Sequence, residues 1–544
     1  MKKLMIYIST LFFCNGMLHA QGEMDAFRFS QTDLDGSARS MSMGGAFGAL
    51  GGDMSAMSHN PAGLGVYRSS EIQATFDFYN SNVKADWGGV TNNRRRNAFS
   101  MDNFSYEGYF PLGYDRGVKG WNIGFSYNKI KEFNRKYAAI GNPKFSLADY
   151  AASRSTFAFG DKGGIYLDEL ILTDRNDPYT NPELSGQWLP ILGYESGFTE
   201  PLDDKNAKND VYYSAFPGTL RENLMNISER GSMREYNIAV ATNISDIVFL
   251  GLAINVTDID YQMASRHYET FTGKNAENDY LTLENTLETE GSAYSANMGV
   301  IIRPIDALRF GVAYNTPRWF KMTDYFYATG ESYIESYSAG SSKMKAHTPD
   351  DQAVAEYALQ TPGRWIFSAA GVIGSSALIS LDYEMSDYRQ MRLGNHNGDD
   401  FSFETDNSII NKDFRVAQTV KLGAEIKPSQ RIAVRAGYIW QSNPMTDNLT
   451  VESKHTEVYT AGTVPHYTTI AAPTTYYTAG LGYRFSPNFY MDMACIYRVQ
   501  KEKLYPFSPV GMSDQGLGIP SIEPSPSDLT VKTARIALTF GYKF

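Results

Sequence analysis

The residues able to do chemistry are few and scattered. Seven histidines stand at His19, His59, His267, His347, His396, His455 and His466. They include no His-Glu-x-x-His pair, so no zinc site of two ligands one helical turn apart is written here. His396, His455 and His466 fall in predicted loops, where a haem receptor would offer axial ligands; solvated loop histidines are the stronger reading. Asp399, Asp400, Glu404 and Asp406 gather carboxylates suited to Ca²⁺, but their spacing misses an EF-hand loop, and a solvated acidic loop is the simpler account. Gly45-x-x-Gly48-x-x-Gly51 follows no strand and precedes no Lys-Ser/Thr, so it cradles no phosphate. No Gly-x-Ser-x-Gly elbow occurs. The sequence predicts no enzyme, no cofactor and no metal, and leaves the chemistry of surfaces.

Bulk properties define those surfaces. The 544 residues carry 14% aromatic side chains, 37 of them Tyr, yet mean hydropathy is only −0.35 and net charge is −11. Aromatic richness without hydropathy fits a wall with one apolar face and long polar loops. An acidic chain argues against nucleic acid as a partner. Arg94-Arg95-Arg96 is a local exception that would suit lipopolysaccharide phosphates, with a solvated loop as the plainer reading. Residues 1–20 have Lys2 and Lys3, an apolar centre and a Leu18-His19-Ala20 end, which reads as a signal peptide too short to span a bilayer. Leu11-Phe12-Phe13 lacks the small residues of a lipoprotein site before Cys14. With Cys14 gone, Cys495 is alone and is expected to face lipid.

From residue 70 onward the pattern has period two. Ile72, Ala74, Phe76 and Phe78 alternate with Glu71, Gln73, Thr75 and Asp77, and Trp121, Ile123, Phe125 and Tyr127 with Asn122, Gly124, Ser126 and Asn128. Successive side chains of a strand point to opposite faces. Strands are predicted near 70–80, 98–110, 119–132, 232–243, 247–268, 282–302, 307–327, 354–373, 377–392, 413–427, 431–442, 475–485, 488–503 and 530–544. Their connections alternate between short turns and long loops, the longest at 133–231 and 443–474. That segregation, an even strand number, and a last strand closing on Phe544 predict an all-β fold: a transmembrane antiparallel β-barrel of about 14 strands, residues 70–544. Its polar face carries Arg309, Lys421, Arg435, Arg484 and Arg535 against Glu235, Asp382, Glu384, Glu425 and Asp492. Such a barrel is too wide for side chains to fill. Residues 21–69, rich in Gly, Ala and Ser, with Met41, Met43, Met54 and Met57 as adaptable packing or as a greasy pocket, are the predicted plug, held by those charges.

The run Ala-Arg-Ser-Met-Ser-Met-Gly-Gly-Ala-Phe, then Asp53, then Asn60-Pro61-Ala62-Gly63-Leu64, resembles the N-terminal hatch of the FadL family of outer-membrane transporters. The resemblance is sharp over the first 80 or so residues and architectural beyond them. It implies passive uptake of a hydrophobic, fatty-acid-like small molecule, with loops 133–231 and 443–474 collecting it. Gly44, Gly45, Asn60, Pro61, Ala62 and Gly63 would gate the hatch, and lateral release would pass a strand kink, for which Gly124 is the candidate. It also implies an outer membrane of a Gram-negative bacterium, contact with its lipid and lipopolysaccharide, and insertion by barrel-assembly machinery that reads the strand ending in Phe544. The alternative is a FadL-like barrel serving protein secretion as a shuttle or anchor, with Tyr166, Tyr179, Trp188 and Tyr194 as a protein-binding surface; a polar-solute porin or a haem receptor ranks lower.

Overall fold

The computed structural model describes residues 22–113, 116–159, 163–173, 176–184, 186–274, 276–335, 342–349, 353–374, 376–396, 403–450, 464–510 and 522–544. The predicted leader, Cys14, His19, Asp399, Asp400 and His455 lie outside the described residues.

Fourteen antiparallel strands form the wall: β1 (Glu71–Trp87), β2 (Val90–Pro111), β3 (Val118–Glu132, continuing as Arg135–Gly141), β4 (Thr219–Ile244), β5 (Val248–Thr272), β6 (Tyr280–Ile305) and β7 (Leu308–Asn315, continuing as Trp319–Ile334) make the first half. The second half is β8 (Ala353–Gln360 and Arg364–Ile373), β9 (Ala377–Asp387), β10 (Val416–Ile426), β11 (Ile432–Gln441), β12 (Tyr467–Ile470 and Thr474–Arg484), β13 (Phe489–Tyr505) and β14 (Ser527–Lys543). Each pairs with its sequence neighbour, and β14 returns to β1 from Glu71↔Lys543 to Asp86↔Asp528. The ring of pairings is closed, which is the condition for strands in hydrocarbon.

Burial is inverted relative to a soluble domain. On β1 Ile72, Phe76 and Phe78 are exposed while Glu71, Gln73, Thr75 and Asp77 are buried. On β14 Ile536, Phe540 and Tyr542 face out while Arg535 and Thr539 face in, and Cys495 on β13 is exposed as expected. Apolar side chains stay outside only if the surroundings are themselves apolar.

The predicted strand count holds, but the strands run longer than expected at the long-loop end. Residues 81–97 form the tip of the β1–β2 hairpin, not a loop, so Arg94, Arg95 and Arg96 sit in a ladder opposite Val83, Asn82 and Ser81. β4 starts at Thr219, far ahead of residue 232. Beyond the apolar belt the outer face turns polar: β2 is exposed or half-buried on both faces around Arg94–Arg96, while β4 keeps Met225 and Ile227 buried inside, so the apolar-out alternation fades or reverses although pairing continues.

Inside the wall lie α1 (Glu23–Ser30), α2 (Ala38–Ser42), α3 (Ala56–His59) and the 3-10 turn Pro61–Val66. At the long-loop end, residues between β3 and β4 fold into a lid with α4 (Leu147–Thr156), α5 (Leu167–Leu170) and α6 (Trp188–Glu195). Ser146 and Asp149 close α4 with a reciprocal capping box. Lid residues Leu147, Trp188 and Phe198 pack onto wall residues Phe271, Leu281 and Phe326. A further helix, α7 (Glu404–Asp413), follows β9.

Candidate functional site

The hatch is built from short turns that its small residues permit. Gly44 and Gly45 take φ of 65° and 67° directly after α2, a region hostile to a side chain. Asn60 caps the 3-10 turn by accepting from Ala62 N at 3.2 Å, and its amide donates to Gly48 O at 2.7 Å and to Val300 O on β6 at 3.4 Å. Pro61 opens that turn, where no N–H is needed. Gly63 O accepts from Gly52 N at 3.0 Å, and a Cβ on Gly63 would stand 2.7 Å from Ala56 Cβ. Ser37 Oγ donates to both oxygens of buried Asp53, at 2.9 and 2.8 Å, while Ser37 N donates to Ser55 Oγ at 2.8 Å. These bonds tie the start of α2 to the turn that leads into α3.

The wall retreats to receive this backbone. A Cβ on Gly251 (β5) would lie 2.2 Å from Ala62 N, one on Gly311 (β7) 2.3 Å from Gly48 O, and one on Gly437 (β11) 2.4 Å from Gly44 N. Met41, Met43, Met54 and Met57 are fully buried among hatch and wall side chains, so they serve as packing.

The predicted inward charges mostly pair across strands. Arg435 bonds Glu425 and Asp492, each at 2.6 Å, and Lys421 bonds Glu384 at 2.6 Å. Arg535 bonds Asp77 at 2.8 Å and also Asp102, and donates to Leu34 O of the hatch at 2.6 Å. Arg309 donates to Leu50 O, and Asp382 accepts from Gly48 N at 2.9 Å. Arg484 is exposed at the short-turn end and holds nothing in the lumen. Direct hatch-to-wall ion pairs join the predicted Glu425 and residues that the sequence does not single out. Arg39 meets Glu425 at 3.2 Å, and Asp33 meets Arg498 at 3.0 Å and Lys131 at 3.5 Å.

Asp33 is the most engaged of these. Its N–H donates to Ile130 O at 2.8 Å, and its carboxylate accepts from Glu132 N at 3.1 Å. Burial alone would raise its pKa; Lys131 and Arg498 outweigh that and hold it at about 2. The contact falls where β3 is irregular, with a register shift between Lys129 and Lys131 that turns Lys129, Ile130 and Lys131 all inward. A signal existed: Asn128-Lys129-Ile130-Lys131 breaks the outward apolar series that ends at Tyr127.

Two environments meet here. One is a polar cavity of about 110 Å³ bordered by Lys131, Arg318, Arg364, Glu384, Arg498 and Gln500. Its cations are partly matched, Arg318 by Glu235 at 2.7 Å and Arg364 by Glu384 at 3.6 Å. The other is a large apolar cluster toward the lid, which encloses α1. Phe27 lies 5.3 Å from Phe414, and Phe29 lies 5.6 Å from Tyr261. Glu23 of the same helix is fully buried with both carboxylate oxygens unpartnered among the described residues, and burial drives its pKa well up.

Gly124 pairs in unbroken register with Glu107 on β2 and Ala239 on β4. A Cβ there would stand 2.8 Å from Met57 Sδ, so its bareness makes room for the hatch. The β2–β3 ladder ends at Asn103↔Asn128, just before the shift at Lys129. Beyond it Val90–Asp102 of β2 keeps only its β1 ladder, and Arg96 reaches across to Ser228 Oγ on β4 at 3.2 Å. The wall therefore has a slit in its backbone ladder between β2 and β3, beside Asp33 and bridged by the Lys129–Asp102 ion pair at 2.8 Å.

Of the remaining predicted sites, Trp188 is buried against Phe326 and Tyr179 is partly buried, leaving Tyr166 exposed on the lid. His466 is buried and His396 lies 3.9 Å from Glu356, so the two do not converge.

No family model and no curated protein sequence matches the chain. Among solved structures, a FadL homologue of Pseudomonas aeruginosa superimposes with TM-score 0.50 at 12% identity over 94% of this chain and 99% of its own. The Pseudomonas putida toluene transporter TodX gives TM-score 0.48 at 10% identity over 94% and 99%. The Ralstonia pickettii toluene transporter TbuX gives 0.45 at 12% over 93% and 98%. Together with the closed wall of fourteen strands and the helical segment packed within it, the likeness to the Pseudomonas aeruginosa homologue establishes that this chain has the FadL fold.

Proposed function

We propose that this protein is an outer-membrane channel for passive uptake of hydrophobic small molecules, and specifically for amphiphiles with an anionic head. The observation that carries the reading is the junction of the apolar cluster around α1 with the cation-bordered cavity beneath it. An acyl or aryl tail suits the first and a carboxylate the second. A neutral hydrocarbon would have to leave Lys131, Arg318, Arg364 and Arg498 without a new partner on entry, which gains nothing from them.

α1 occupies the tail's place. Burying Phe27 and Phe29 stabilises the docked helix by about 3–6 kcal/mol. Burying Glu23 without a partner offsets part of that, so α1 is a displaceable occupant. A ligand head arriving at Lys131 and Arg498 competes with Asp33, loosening the hatch beside the β2–β3 slit. Release is sideways through that slit, at the Lys129–Lys131 shift, with Gly124 serving as hatch clearance below it. Gly44, Gly45 and Asn60 to Gly63 act as the anchored base on which the upper hatch moves. Phe544, exposed at the end of the closing strand, suits the barrel-assembly machinery.

Purified protein in liposomes should speed entry of a long-chain carboxylate well beyond empty vesicles; equal rates would end this reading. The lid's exposed Tyr166, Leu172, Leu202 and Tyr213 are what favour a second function. Co-purification of a stoichiometric protein partner from detergent extracts would support a secretion role instead.

A further inference from the structure

Above its apolar belt the outer face of the wall is charged unevenly. On β1 the outward series Phe76, Phe78 gives way to Asn80, Asn82 and Lys84; on β2 Phe99 gives way to Asn97, Arg95 and Asn93. In ladder register Arg95 of β2 and Lys532 of β14 both flank Asn82. One row further up, Lys84 is followed by Thr530 on β14 and then Lys501 on β13. All four cations are exposed, and none forms an ion pair with another described residue. Strand spacing and rise place them within a patch of about 14 by 7 Å.

This concentration occurs on a chain whose net charge is −11. The same level on β5 and β6 is acidic, with Asp260 directly opposite Glu290 and Asp258, which pairs with Arg234 of β4 at 3.8 Å, one row below. Asp86 and Asp528 stand one row above, on β1 and β14, but the four cations outnumber them, so the patch carries a net positive charge that favours an anion on it. Below the patch stacked Phe76 and Phe99, ring centroids 6.4 Å apart, continue into the apolar belt. Around it the outward carboxamides of Asn82 and Asn93 offer donors and acceptors for hydroxyls.

We propose that the β13–β14–β1–β2 face is a binding site for a phosphorylated glycolipid of the outer leaflet. Its phosphates lie on Arg95, Lys532, Lys84 and Lys501, its sugar hydroxyls on Asn82 and Asn93, and its acyl chains along Phe76, Phe78 and Phe99. The aromatic floor selects a membrane lipid over free phosphate, and the acidic β5–β6 face would reject the same molecule. The site lies next to the β2 border of the slit, so an occupied site would flank the lateral exit with ordered lipid. The proposal rests on the membrane-barrel reading but not on the identity of the cargo.

The test uses the delipidated full chain in detergent and native mass spectrometry. The probes are bis-phosphorylated lipid A and its dephosphorylated form. The wild type should retain the phosphorylated lipid at about one per chain and the dephosphorylated form at least tenfold less. The variant Lys84→Gln/Arg95→Gln/Lys501→Gln/Lys532→Gln should lose at least tenfold in retention. Asp258→Asn/Asp260→Asn on the far face should change it less than twofold. Heat-dependent electrophoretic mobility verifies that each variant is folded. Equal retention by wild type and quadruple variant, or equal retention of the two lipids, overturns the site. A wild-type chain that does not insert into lipid vesicles at all would instead bring down the membrane reading itself.

Discussion

Replacing Asp33 with Asn should free the upper hatch without unfolding the barrel. The side chain keeps its size but loses the charge that Arg498 Nη1 approaches at 3.0 Å and Lys131 Nζ at 3.5 Å. Removing one partner of a buried pair costs about 3–5 kcal/mol because the other is left uncompensated. Taking the lower figure, since the Asn oxygen can still accept from Glu132 N, the docked state loses about 3 kcal/mol, a factor of about 100. The reporter is the Asp33 N–H, whose bond to Ile130 O does not involve the side chain. Hydrogen exchange at that amide should accelerate by about 100-fold, while exchange in the β1–β14 ladder stays unchanged. The wild type should show the same loosening at acid pH. The Asp33 pKa is depressed to about 2, so its contribution is complete above the ordinary carboxylate value and is lost as pH falls from there toward 2. An Asp33 amide that exchanges within threefold of wild type in the variant would refute the idea that this carboxylate latches the hatch to β3.

Further expectations follow from the same geometry. Gly437→Ala places a Cβ 2.4 Å from Gly44 N and should destabilise the folded barrel by about 1–3 kcal/mol, read as a lower unfolding midpoint in detergent; Gly371→Ala, with 3.6 Å of clearance, should not. Arg364→Gln should slow liposome uptake of a long-chain carboxylate by about tenfold while leaving toluene entry unaffected, because only the head group meets the cavity. Glu23→Gln removes a buried ionisable group and should tighten α1, seen as slower proteolysis at the N-terminus. In the wild type the raised Glu23 pKa means that α1 docking is firmest at low pH and weakens as pH rises through that pKa. Glu269→Ala deprives Leu147 N, at the start of α4, of its acceptor at 3.0 Å and should make the lid more protease-sensitive by about tenfold.

The sequence by itself determined the class of wall and the existence of its stopper. Period-two alternation is local, and it forces one face of each strand to be apolar, as Ile72, Phe76 and Phe78 against Glu71, Gln73 and Asp77 show. Alternating short and long connections then ordered the strands, and the Gly-rich stretch ending in Asn60-Pro61-Ala62-Gly63 announced a compact insert. Where the strands stopped and which charges met were decided by tertiary structure. Strands such as the Arg94–Arg96 segment persist beyond the apolar belt because pairing continues where both faces are wet, and that leaves no hydropathy signal. Asp33, Lys131 and Arg498 lie far apart in the chain, and their meeting requires a closed wall and a hatch of one particular height inside it. Gly124 illustrates the limit: its lack of a side chain was legible, but only the packing of Met57 against it showed that the space is taken by the hatch. Local pattern fixes faces and periods; long-range closure fixes partners, because a charge pair is a property of two positions and no single stretch contains both.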